Sequence, residues 1–512
     1  MEPRIGIQIP DGFSSVEEYA LEVKQIYSKF SYLPTMHIVD FFVTNHWSEL
    51  PSEWREYFES DGFHVGSLIA MASSGEVPEN SPDSLREYVE KMFSLRFPRE
   101  KVEADKGRSE EDKRRVLKYF LDGMSPKKQA EVVDLSHLID LVAQSSGSKL
   151  VVDVGAGQGY LSRVLAYSEN KSRPSVLAVD FAEGQKRGAE TYQRRTIKQL
   201  RGQKARADGY QWDDANEQRL VHRVLSVSME NTQQLAEVAR TAAGGSNWML
   251  CGLHACGDLS SAVLKTFAES RDASAVVLVP CCYNHISESR EEGASGFPLS
   301  KEFQGIEFGI NALKAACQAP SRWGTKAEDT MEAFKRNYFR ALLHYLMVSH
   351  GQLSTKDKFP AVGGVTTTDL HAAMERERMQ FDKYAEELQR QEDSEAPGGT
   401  GNNRLAEEDK EFALYVYAAL NKLKHTWHPP LRECVDCRRR MGFGFKQMAV
   451  VWTLRSLVGP LIEGMLVVDR ALYLKAHCGP EGQVEAFALF DPVTSPRNVV
   501  LVAQRGYPKE KE

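Results

Sequence analysis

Short aliphatic runs alternate with amphipathic stretches between about Lys127 and Pro280. Five of these runs have the length and apolarity of buried strands, and each ends in a turn signal: KLVVDVGAG, SVLAVDFA, RLVHRVLSV, NWMLCGLH and SAVVLVPCC. Strands that alternate with helical segments form a parallel sheet covered by helices on both faces. Strands buried on both faces are continuously apolar, as these mostly are. The sequence therefore predicts an α/β fold with a Rossmann-like sheet.

The remaining sequence predicts accessory regions around this sheet. The charged run at 101–115 is expected to be a solvated helix face or loop. Two further strands are predicted at 465–477 and 485–504, as an antiparallel pair that completes the sheet. The predicted divisions are a helical N-terminal region at 1–120, a core at 121–312, a helical insertion at 313–388, a flexible linker at 389–404, and helices and strands that complete the core at 405–512.

Charge and apolarity exclude several classes of protein. A net charge of -7 and a pI near 6.1 argue against non-specific coating of nucleic acid, which requires many phosphates to be neutralised. No run approaches the roughly 18 apolar residues of a membrane helix, and the N-terminus lacks a signal-peptide pattern. The eight cysteines are scattered, as reduced thiols are. We therefore expect an intracellular protein, cytoplasmic or nuclear, without membrane association.

A glycine-rich turn follows the first predicted strand. In VVDVGAGQGY (151–160) the strand carries Asp153, and the glycines that follow allow a tight turn into a helix and close approach of a ligand to the backbone. The same turn also occurs in other nucleotide sites and in purely structural turns. The glycines are Gly155, Gly157 and Gly159.

An acidic residue ends the second predicted strand. Asp180 stands where a carboxylate can accept hydrogen bonds from both ribose hydroxyls of a nucleoside; the alternative is a strand-end cap without a ligand. Dehydrogenases space their glycines G-x-G-x-x-G, whereas this chain has G-A-G-Q-G. The pattern therefore predicts S-adenosylmethionine as cofactor. Asp153 is expected near its methionine end, holding the loop or the amino group.

Motifs spread over most of the chain resemble the methyltransferase-like 25 family, members of which are also labelled ribosomal RNA adenine dimethylase domain-containing protein. The resemblance implies a class I methyltransferase fold and dependence on S-adenosylmethionine, but no particular substrate. The motifs are FFVTNHWSELPSEW, GMSPKKQAEV, VDVGAGQGYLS, CGLHACGDLS, PCCYN, IEGMLVVDRALYL and LFDPVTSPRN.

One of these motifs departs from the family pattern. Related sequences usually read Lys-Lys-x-His-Glu, whereas here Ala130 occupies the histidine position and Lys127, Lys128 and Glu131 remain. If this motif helps to close the cofactor pocket, the loss of the imidazole argues against a catalytic role for the Ala130 position. Lys128 and Glu131 are the predicted cofactor-binding residues of the motif.

The carboxyl ends of the fourth and fifth strands are expected to surround the transferred methyl group. This selects His254, Cys282 and Tyr283 as catalytic candidates. His254 is either a base with a pKa near neutrality or a hydrogen-bonded structural histidine. Cys281 and Cys282 either line the pocket or supply a nucleophile, as in pyrimidine C5 methyltransferases. Tyr283 is expected to stack on a planar base or to flank a peptide side chain.

Two nearby features bear on the substrate. Asp258 is expected to cap the helix that follows the fourth strand. Adenine N6 methyltransferases carry Asn or Asp, then Pro-Pro and an aromatic residue, at the end of that strand, where this chain has Gly-Leu-His at 252–254. Adenine dimethylation is therefore not supported, despite the family label.

Outside the sheet, two clusters were candidates for binding. His425, His428, Cys434 and Cys437 have zinc-ligand types in an H-x2-H-x5-C-x2-C pattern, but the central loop is short, so no metal is predicted and this site stays an open alternative. Basic residues either form an RNA-facing surface or lie on solvated helix faces. They are Arg438, Arg439 and Arg440, with Lys186, Arg187, Arg194, Arg195, Lys198, Arg201, Lys204 and Arg206.

Together these features predict an S-adenosylmethionine-dependent methyltransferase that acts on a macromolecule, RNA ahead of protein. A different class of protein, a non-catalytic scaffold that keeps the cofactor fold, is the alternative. A nicotinamide-dependent oxidoreductase would instead require a dinucleotide site. The sequence does not determine the oligomeric state.

Overall fold

The computed structural model describes residues 5–102, 119–120, 122–168, 172, 174–202, 205–206, 212–289, 295–394 and 406–506. Most of the charged run at 101–115, most of the predicted linker and Lys204 lie outside these described residues. The chain divides into two compact units, of which the first comprises 1–34, 91–319 and 458–512 and the second comprises 35–90 and 320–457. The domain boundaries predicted from the sequence remain predictions.

Helices and strands are numbered here in chain order. The α-helices of the described residues are α1 Val16–Phe30, α2 Tyr32–Thr35, α3 Phe41–Thr44, α4 Ser52–Glu59, α5 Ser67–Ser74, α6 Asp83–Ser94, α7 Pro126–Ser146, α8 Tyr160–Tyr167, α9 Glu183–Leu200, α10 Thr232–Ala243, α11 Asp258–Glu269, α12 Gly309–Ala316, α13 Ala327–Ser349, α14 Thr367–Ser394, α15 Glu407–Lys422, α16 Leu431–Arg440 and α17 Gly444–His477. The strands are β1 Leu150–Val154, β2 Ser175–Asp180, β3 Leu220–Val224, β4 Trp248–Cys256, β5 Ala273–Cys281, β6 Gln483–Ala488 and β7 Val499–Gln504.

Within the described residues, seven strands form one sheet in the order β3-β2-β1-β4-β5-β7-β6. The neighbours from β3 through β5 pair in parallel, whereas β7 pairs antiparallel with both β5 and β6. All five residues of β1 are buried, as expected for a central strand covered on both faces. The predicted α/β fold class is confirmed. An antiparallel pair does lie at the edge of the sheet, but its two strands, β6 and β7, lie at 483–504, where the sequence predicted a single strand at 485–504.

The strand predicted at 465–477 is wrong, because these residues form the last part of α17. Val467 and Val468 are β-branched, which favours a strand, but Leu466, Ala471 and Leu474 are buried as well. A helix that is apolar on all sides is buried in a core. Contrary to the expectation from sequence, α17 is long and apolar enough to cross a membrane, yet 89% of its most apolar 18-residue stretch is buried within the protein.

The sheet of the first unit is packed on both faces. Leu135 of α7 belongs to a hydrophobic cluster that also contains Val151 and Met249. Successive strand residues point to opposite faces of the sheet, so Val152 and Leu250 face the other side. Both are also buried, which shows that this second face is covered as well. On α10 and α11, both of which contact β4, apolar residues are buried in turn.

Helix α7 positions the Lys-Lys motif. Ser125 caps its N-terminus by accepting the N–H of Lys128 at 3.3 Å, Pro126 occupies the first turn, and Gly147 ends the helix with φ 65°. Lys128 and Glu131 are three residues apart, so they lie on the same face of the helix.

The second unit is helical in the residues that the structure describes. Phe334 packs edge to face against Trp452 with ring centroids 5.1 Å apart. Asp409 is 1% exposed and accepts hydrogen bonds from Arg438 at 3.0 Å and Arg439 at 2.8 Å. A buried carboxylate requires such partners.

Candidate functional site

The turn after β1 requires glycine because of its backbone conformation and because two of its positions leave little room for a Cβ atom. Gly155, Gly157 and Gly159 have φ values of 75°, 53° and 65°, in the left-handed region that glycine adopts most readily. A Cβ atom at Gly155 would lie 3.0 Å from Leu259, and one at Gly159 would lie 3.2 Å from Ala189. A Cβ atom at Gly157 would meet no described atom within 4 Å. Gly157 therefore faces open space.

Asp180 at the end of β2 fixes this turn. Its Oδ2 accepts the N–H of Gly157 at 2.9 Å, and its Oδ1 accepts the N–H of Ala182 at 3.0 Å. Each carboxylate oxygen keeps a second lone pair. The side chain can therefore hold the turn and still accept hydrogen bonds from ribose hydroxyls.

Phe181 is a site residue that sequence reasoning missed. It follows Asp180 and is 75% exposed, which is unusual for a large aromatic side chain. An exposed ring beside an acceptor of ribose hydroxyls offers a flat apolar surface to a nucleoside base. The available signal was an aromatic residue directly after the acid at the strand end.

Asp153 holds the turn from inside the protein. Its side chain is 1% exposed and accepts a hydrogen bond of 2.5 Å from the hydroxyl of Ser162 on α8. Burial raises the pKa of this carboxyl to about 6. Of the two roles expected for Asp153, this geometry supports holding the loop rather than contacting the cofactor's amino group.

Glu131 joins three distant segments of the chain. It is 1% exposed, and its carboxylate lies 3.2 Å from Lys128 Nζ, 3.0 Å from His254 Nε2 and 2.8 Å from Ser495 Oγ. Burial raises the pKa of Glu131, but the hydrogen bonds from His254 and Ser495 and the charge of Lys128 outweigh it and lower the pKa to about 2. Glu131 is therefore an ionised, buried support for its neighbours, and cofactor contact by Lys128 stays a prediction.

His254 occupies an irregular position on β4. The pairing of β4 with β5 shifts register between Leu253 and Ala255, and His254 has φ 64°. An extra residue of this kind redirects a side chain. The imidazole is 22% exposed and its Nε2 faces Glu131. Nδ1 is therefore the nitrogen available to a substrate.

Tyr283 does not contact substrate in the way the sequence suggested. Its side chain is 1% exposed, and its hydroxyl donates to Glu463 at 3.0 Å. Glu463 also forms ion pairs with Arg99 and, at 3.0 Å, with Arg497. Because the ring is buried, it offers no face to a base, contrary to expectation. Tyr283 instead helps to join β5 to the charged cluster around Glu463.

A buried ion pair in α17 anchors the segment after β5. Asp469 accepts the N–H of Leu299 at 3.0 Å, and Arg470 donates to Ser261 Oγ at 3.1 Å and to the carbonyl of Gly296 at 3.3 Å. Burial raises the pKa of Asp469 to about 6. Charges inside an apolar run were the sequence signal for this role, because buried charges need partners. Residues 290–294 of the segment lie outside the described residues.

Asp258 is not the helix cap that the sequence predicted. Gly257 is the N-cap of α11, and it makes no side-chain capping bond. Asp258 Oδ1 instead accepts the N–H of Ser287 at 2.7 Å. Asp258 therefore ties the start of α11 to the segment after β5.

The predicted nucleophile Cys282 lies in a group of three thiols with Cys256 and Cys281. The sulfur of Cys281 lies 3.2 Å from that of Cys256 and 3.6 Å from that of Cys282. Cys281 is buried, Cys282 is half-buried and Cys256 is exposed. A nucleophilic role for Cys282 stays a prediction, and the convergence with Cys256 was not foreseen.

The other candidate metal cluster does not assemble. Cys434 and Cys437 are 0% and 1% exposed on α16, and burial raises the pKa of the Cys434 thiol well above its usual range. His425 Nδ1 accepts the N–H of Trp427 at 3.1 Å. Among the described residues, the group that could hold a metal contains none of these side chains.

The turn and its surroundings fit S-adenosylmethionine. Gly157 leaves space at the backbone, Asp180 supplies acceptors for hydroxyls, and Phe181 supplies an apolar surface for adenine. This set of groups matches the sugar and base of the cofactor. Residues 127–289 also match the family model described as "Methyltransferase domain". This part of the chain is a class I methyltransferase domain, and its cofactor is S-adenosylmethionine.

The chain is similar to the probable methyltransferase-like protein 25 of two mammals, as its motifs suggested. It is 24% identical to the Mus musculus protein over 266 residues, which cover 50% of this chain and 37% of that protein. It is 25% identical to the Homo sapiens protein over 269 residues, which cover 50% of this chain and 36% of that protein. The match thus spans little more than a third of these relatives.

A solved structure, coclaurine N-methyltransferase bound to N-methylheliamine and SAH, is also similar to this chain in a structural search. The match covers 83% of this chain and 96% of that chain at 10% sequence identity, with a TM-score of 0.19. At this score the likeness carries no argument. The fold assignment depends instead on the strand order and on the matched domain.

Proposed function

We propose that this protein methylates a macromolecule, RNA ahead of protein, with S-adenosylmethionine as donor. The observation that carries the proposal is the pairing of His254 Nε2 with the buried carboxylate of Glu131 at 3.0 Å. This pair stands near the end of β4, next to β1 in the sheet, and so beside the glycine turn. An imidazole supported by an ionised carboxylate is a suitable general base.

The chemistry follows from the orientation of His254. Bound S-adenosylmethionine supplies an activated methyl group on its sulfonium. With the donor bound, Nδ1 of His254 would accept the proton from the acceptor N–H or O–H, and the donor would leave as S-adenosylhomocysteine. Nε2–H donates to Glu131 at the same time, so the carboxylate stabilises the imidazolium that forms. Lys128 and Ser495 keep Glu131 ionised and in place.

A stripe of exposed basic residues on α9 supports RNA as the acceptor. Arg187, Arg194 and Lys198 are exposed, and their spacing of seven and four residues places them on one helix face. Such a stripe can neutralise backbone phosphates, which the net charge of -7 does not prevent locally. Arg201 continues the stripe but is paired with Asp214 at 2.9 Å. Arg438 and Arg439 are bound to Asp409, so they add little to this proposal.

A cellular location in the cytoplasm or nucleus is part of the same proposal. Its support is that all eight cysteines are free thiols in the structure, including two whose sulfur atoms lie 3.2 Å apart. Free thiols fit the cytosol and nucleus, where disulfides are rare because thiols are kept reduced. Fractionation of cells that express a tagged chain tests this location.

The test of the proposed function is transfer of labelled methyl groups to RNA and protein fractions by the full chain. Label that ribonuclease releases supports the proposal, whereas label that only protease releases overturns the choice of RNA. A folded chain that binds the cofactor but labels neither fraction favours the scaffold alternative. His254→Ala is expected to lower the transfer rate about 10²- to 10⁴-fold without changing cofactor affinity. His477→Ala, at an exposed histidine, is the matched control.

A further inference from the structure

The carboxyl ends of β4 and β5 bring three cysteine thiols together. Cys256 and Cys281 are register partners in the parallel pair, and Cys282 follows directly. Their sulfur atoms all lie within 4.8 Å of one another, with 3.2 Å between Cys256 and Cys281 and 3.6 Å between Cys281 and Cys282. This group does not correspond to a short metal-binding motif, because 24 residues lie between Cys256 and Cys281.

The backbone at Cys282 is responsible for the convergence. Consecutive residues of a strand point to opposite faces of the sheet, so Cys281 and Cys282 would normally diverge. Cys282 instead has φ 49°, a left-handed conformation that non-glycine residues rarely adopt. This conformation returns its sulfur to the side of Cys281. Strained backbone that aims a side chain at a cluster is often associated with a functional site.

The distances fit a tetrahedral ion bound by sulfur. Zinc binds thiolates at about 2.3 Å, which places the sulfur atoms of a tetrahedral site about 3.8 Å apart. The measured separations of 3.2 and 3.6 Å are shorter than that by about 0.6 and 0.2 Å. Small side-chain rotations therefore suffice. Thiolates select zinc over magnesium and calcium, which prefer oxygen ligands.

We propose that Cys256, Cys281 and Cys282 bind a zinc ion at the carboxyl ends of β4 and β5. Binding replaces the thiol protons, which pass to solvent, and forms three Zn–S bonds without change of oxidation state. Cys256 is exposed, so the ion has a path from solvent. Among the described residues, no fourth protein ligand atom lies within the group of three sulfur atoms, so water takes the fourth position.

The zinc site would stabilise the acceptor side of the methyltransferase domain, by which we mean the region at the carboxyl ends of β4 and β5. Cys256 stands two residues beyond His254 on β4, and its Sγ lies 3.3 Å from the His254 carbonyl. An ion that joins the ends of β4 and β5 would fix the irregular backbone on which His254 is presented. The inference does not depend on methyl transfer, because metal binding is measured by itself.

Cobalt titration of the reduced full chain tests the proposal. Co²⁺ substitutes for zinc, and thiolate ligands give it charge-transfer absorption in the near ultraviolet. We expect one equivalent of Co²⁺ to bind with this absorption and Zn²⁺ to displace it. Cys256→Ser and Cys282→Ser should each weaken Co²⁺ binding by about 100-fold or more, since even residues behind the ligands change affinity 10- to 100-fold.

The matched control is Cys478→Ser, a buried cysteine of the same unit that lies outside the thiol group. It should bind Co²⁺ as the unaltered chain does. Cys256→Ser is the variant least able to disturb folding, because its side chain is exposed, and circular dichroism verifies each fold. Absence of the absorption from a folded, reduced chain overturns the proposal. Undiminished absorption in both Cys256→Ser and Cys282→Ser overturns it as well.

Discussion

The glycine turn between β1 and α8 and the acceptor side at the ends of β4 and β5 are built in opposite ways. The turn uses backbone conformation, local glycines and one carboxylate that accepts two backbone N–H groups. The acceptor side uses charged and polar side chains drawn from far apart in the chain, such as Glu131, His254 and Ser495. The first arrangement is local in sequence, whereas the second depends on long-range contacts.

The difference shows where each region derives its rigidity. The turn tolerates few residue types, and its carboxylate partner Asp180 lies only 23 residues from Gly157. Buried charges, in contrast, are stable only while every partner is present, because an unpaired charge in the interior is strongly unfavourable. Stability should therefore be most sensitive to mutation on the acceptor side, and cofactor affinity most sensitive at the turn.

The largest expected effect is on Glu463. Glu463→Ala would leave the hydroxyl of Tyr283 and the guanidinium groups of Arg99 and Arg497 without their shared acceptor. Loss of one member of a buried charge cluster lowers the free energy of unfolding by about 3–5 kcal/mol. Urea-induced unfolding measures this loss.

The control for this substitution is Glu17→Ala, which removes an exposed pair with Lys475 at 2.8 Å. Exposed pairs contribute about 0–1 kcal/mol. If the free energy of unfolding fell by the same small amount in both variants, the charged cluster would not stabilise the acceptor side. The contrast with the turn would then be wrong.

The second prediction concerns pH, since the two regions should respond to it in opposite directions. The pKa of Glu131 is lowered from 4.5 to about 2, so its stabilisation is complete above pH 4.5 and lost as the pH falls towards 2. The pKa of Asp153 is raised from 3.8 to about 6, so stability is lost as the pH rises from 3.8 through 6. At about 1.4 kcal/mol per unit of pKa, each effect amounts to at most about 3–4 kcal/mol.

Glu131→Gln and Asp153→Asn separate these contributions. Between pH 3 and 7, the unfolding free energy of Asp153→Asn relative to the unaltered chain should rise with pH, most steeply between about 4 and 6. That of Glu131→Gln should fall over the acidic part of the range. Asp11→Asn, at an exposed carboxylate, is the control and should follow the unaltered chain. If the unfolding free energies of Glu131→Gln and Asp153→Asn changed with pH in the same direction, the predicted contrast between the two regions would be contradicted.

The same contrast explains what could be predicted from the sequence. The sheet and the glycine turn were predicted because Gly155 to Gly159 and Asp180 follow apolar runs directly. The roles of Glu463, Asp469 and Arg470 were missed because each has a partner more than a hundred residues away. These partners are Tyr283, Leu299 and Ser261. Residues 465–477 were predicted to be a strand because valines favour strands. They instead form the end of a helix that is apolar on all sides, as a helix buried in a core is. Tyr283 was expected to stack on a base or flank a peptide side chain, yet its ring is buried and its hydroxyl donates to Glu463.

The third prediction isolates the glycine turn itself. Gly157→Arg would place a side chain in the open space at the turn and should weaken S-adenosylmethionine binding about 100-fold, or about 2.7 kcal/mol. Gly244→Arg is a matched control, because Gly244 has φ 56° against 53° at Gly157 and its Cβ atom would also meet nothing within 4 Å. Both variants carry the same backbone strain of about 1–2 kcal/mol. Calorimetric titration should therefore find binding lost at Gly157 and kept at Gly244. Equal loss in both would show that affinity follows overall stability rather than this turn, since the two substitutions differ only in where the arginine lies.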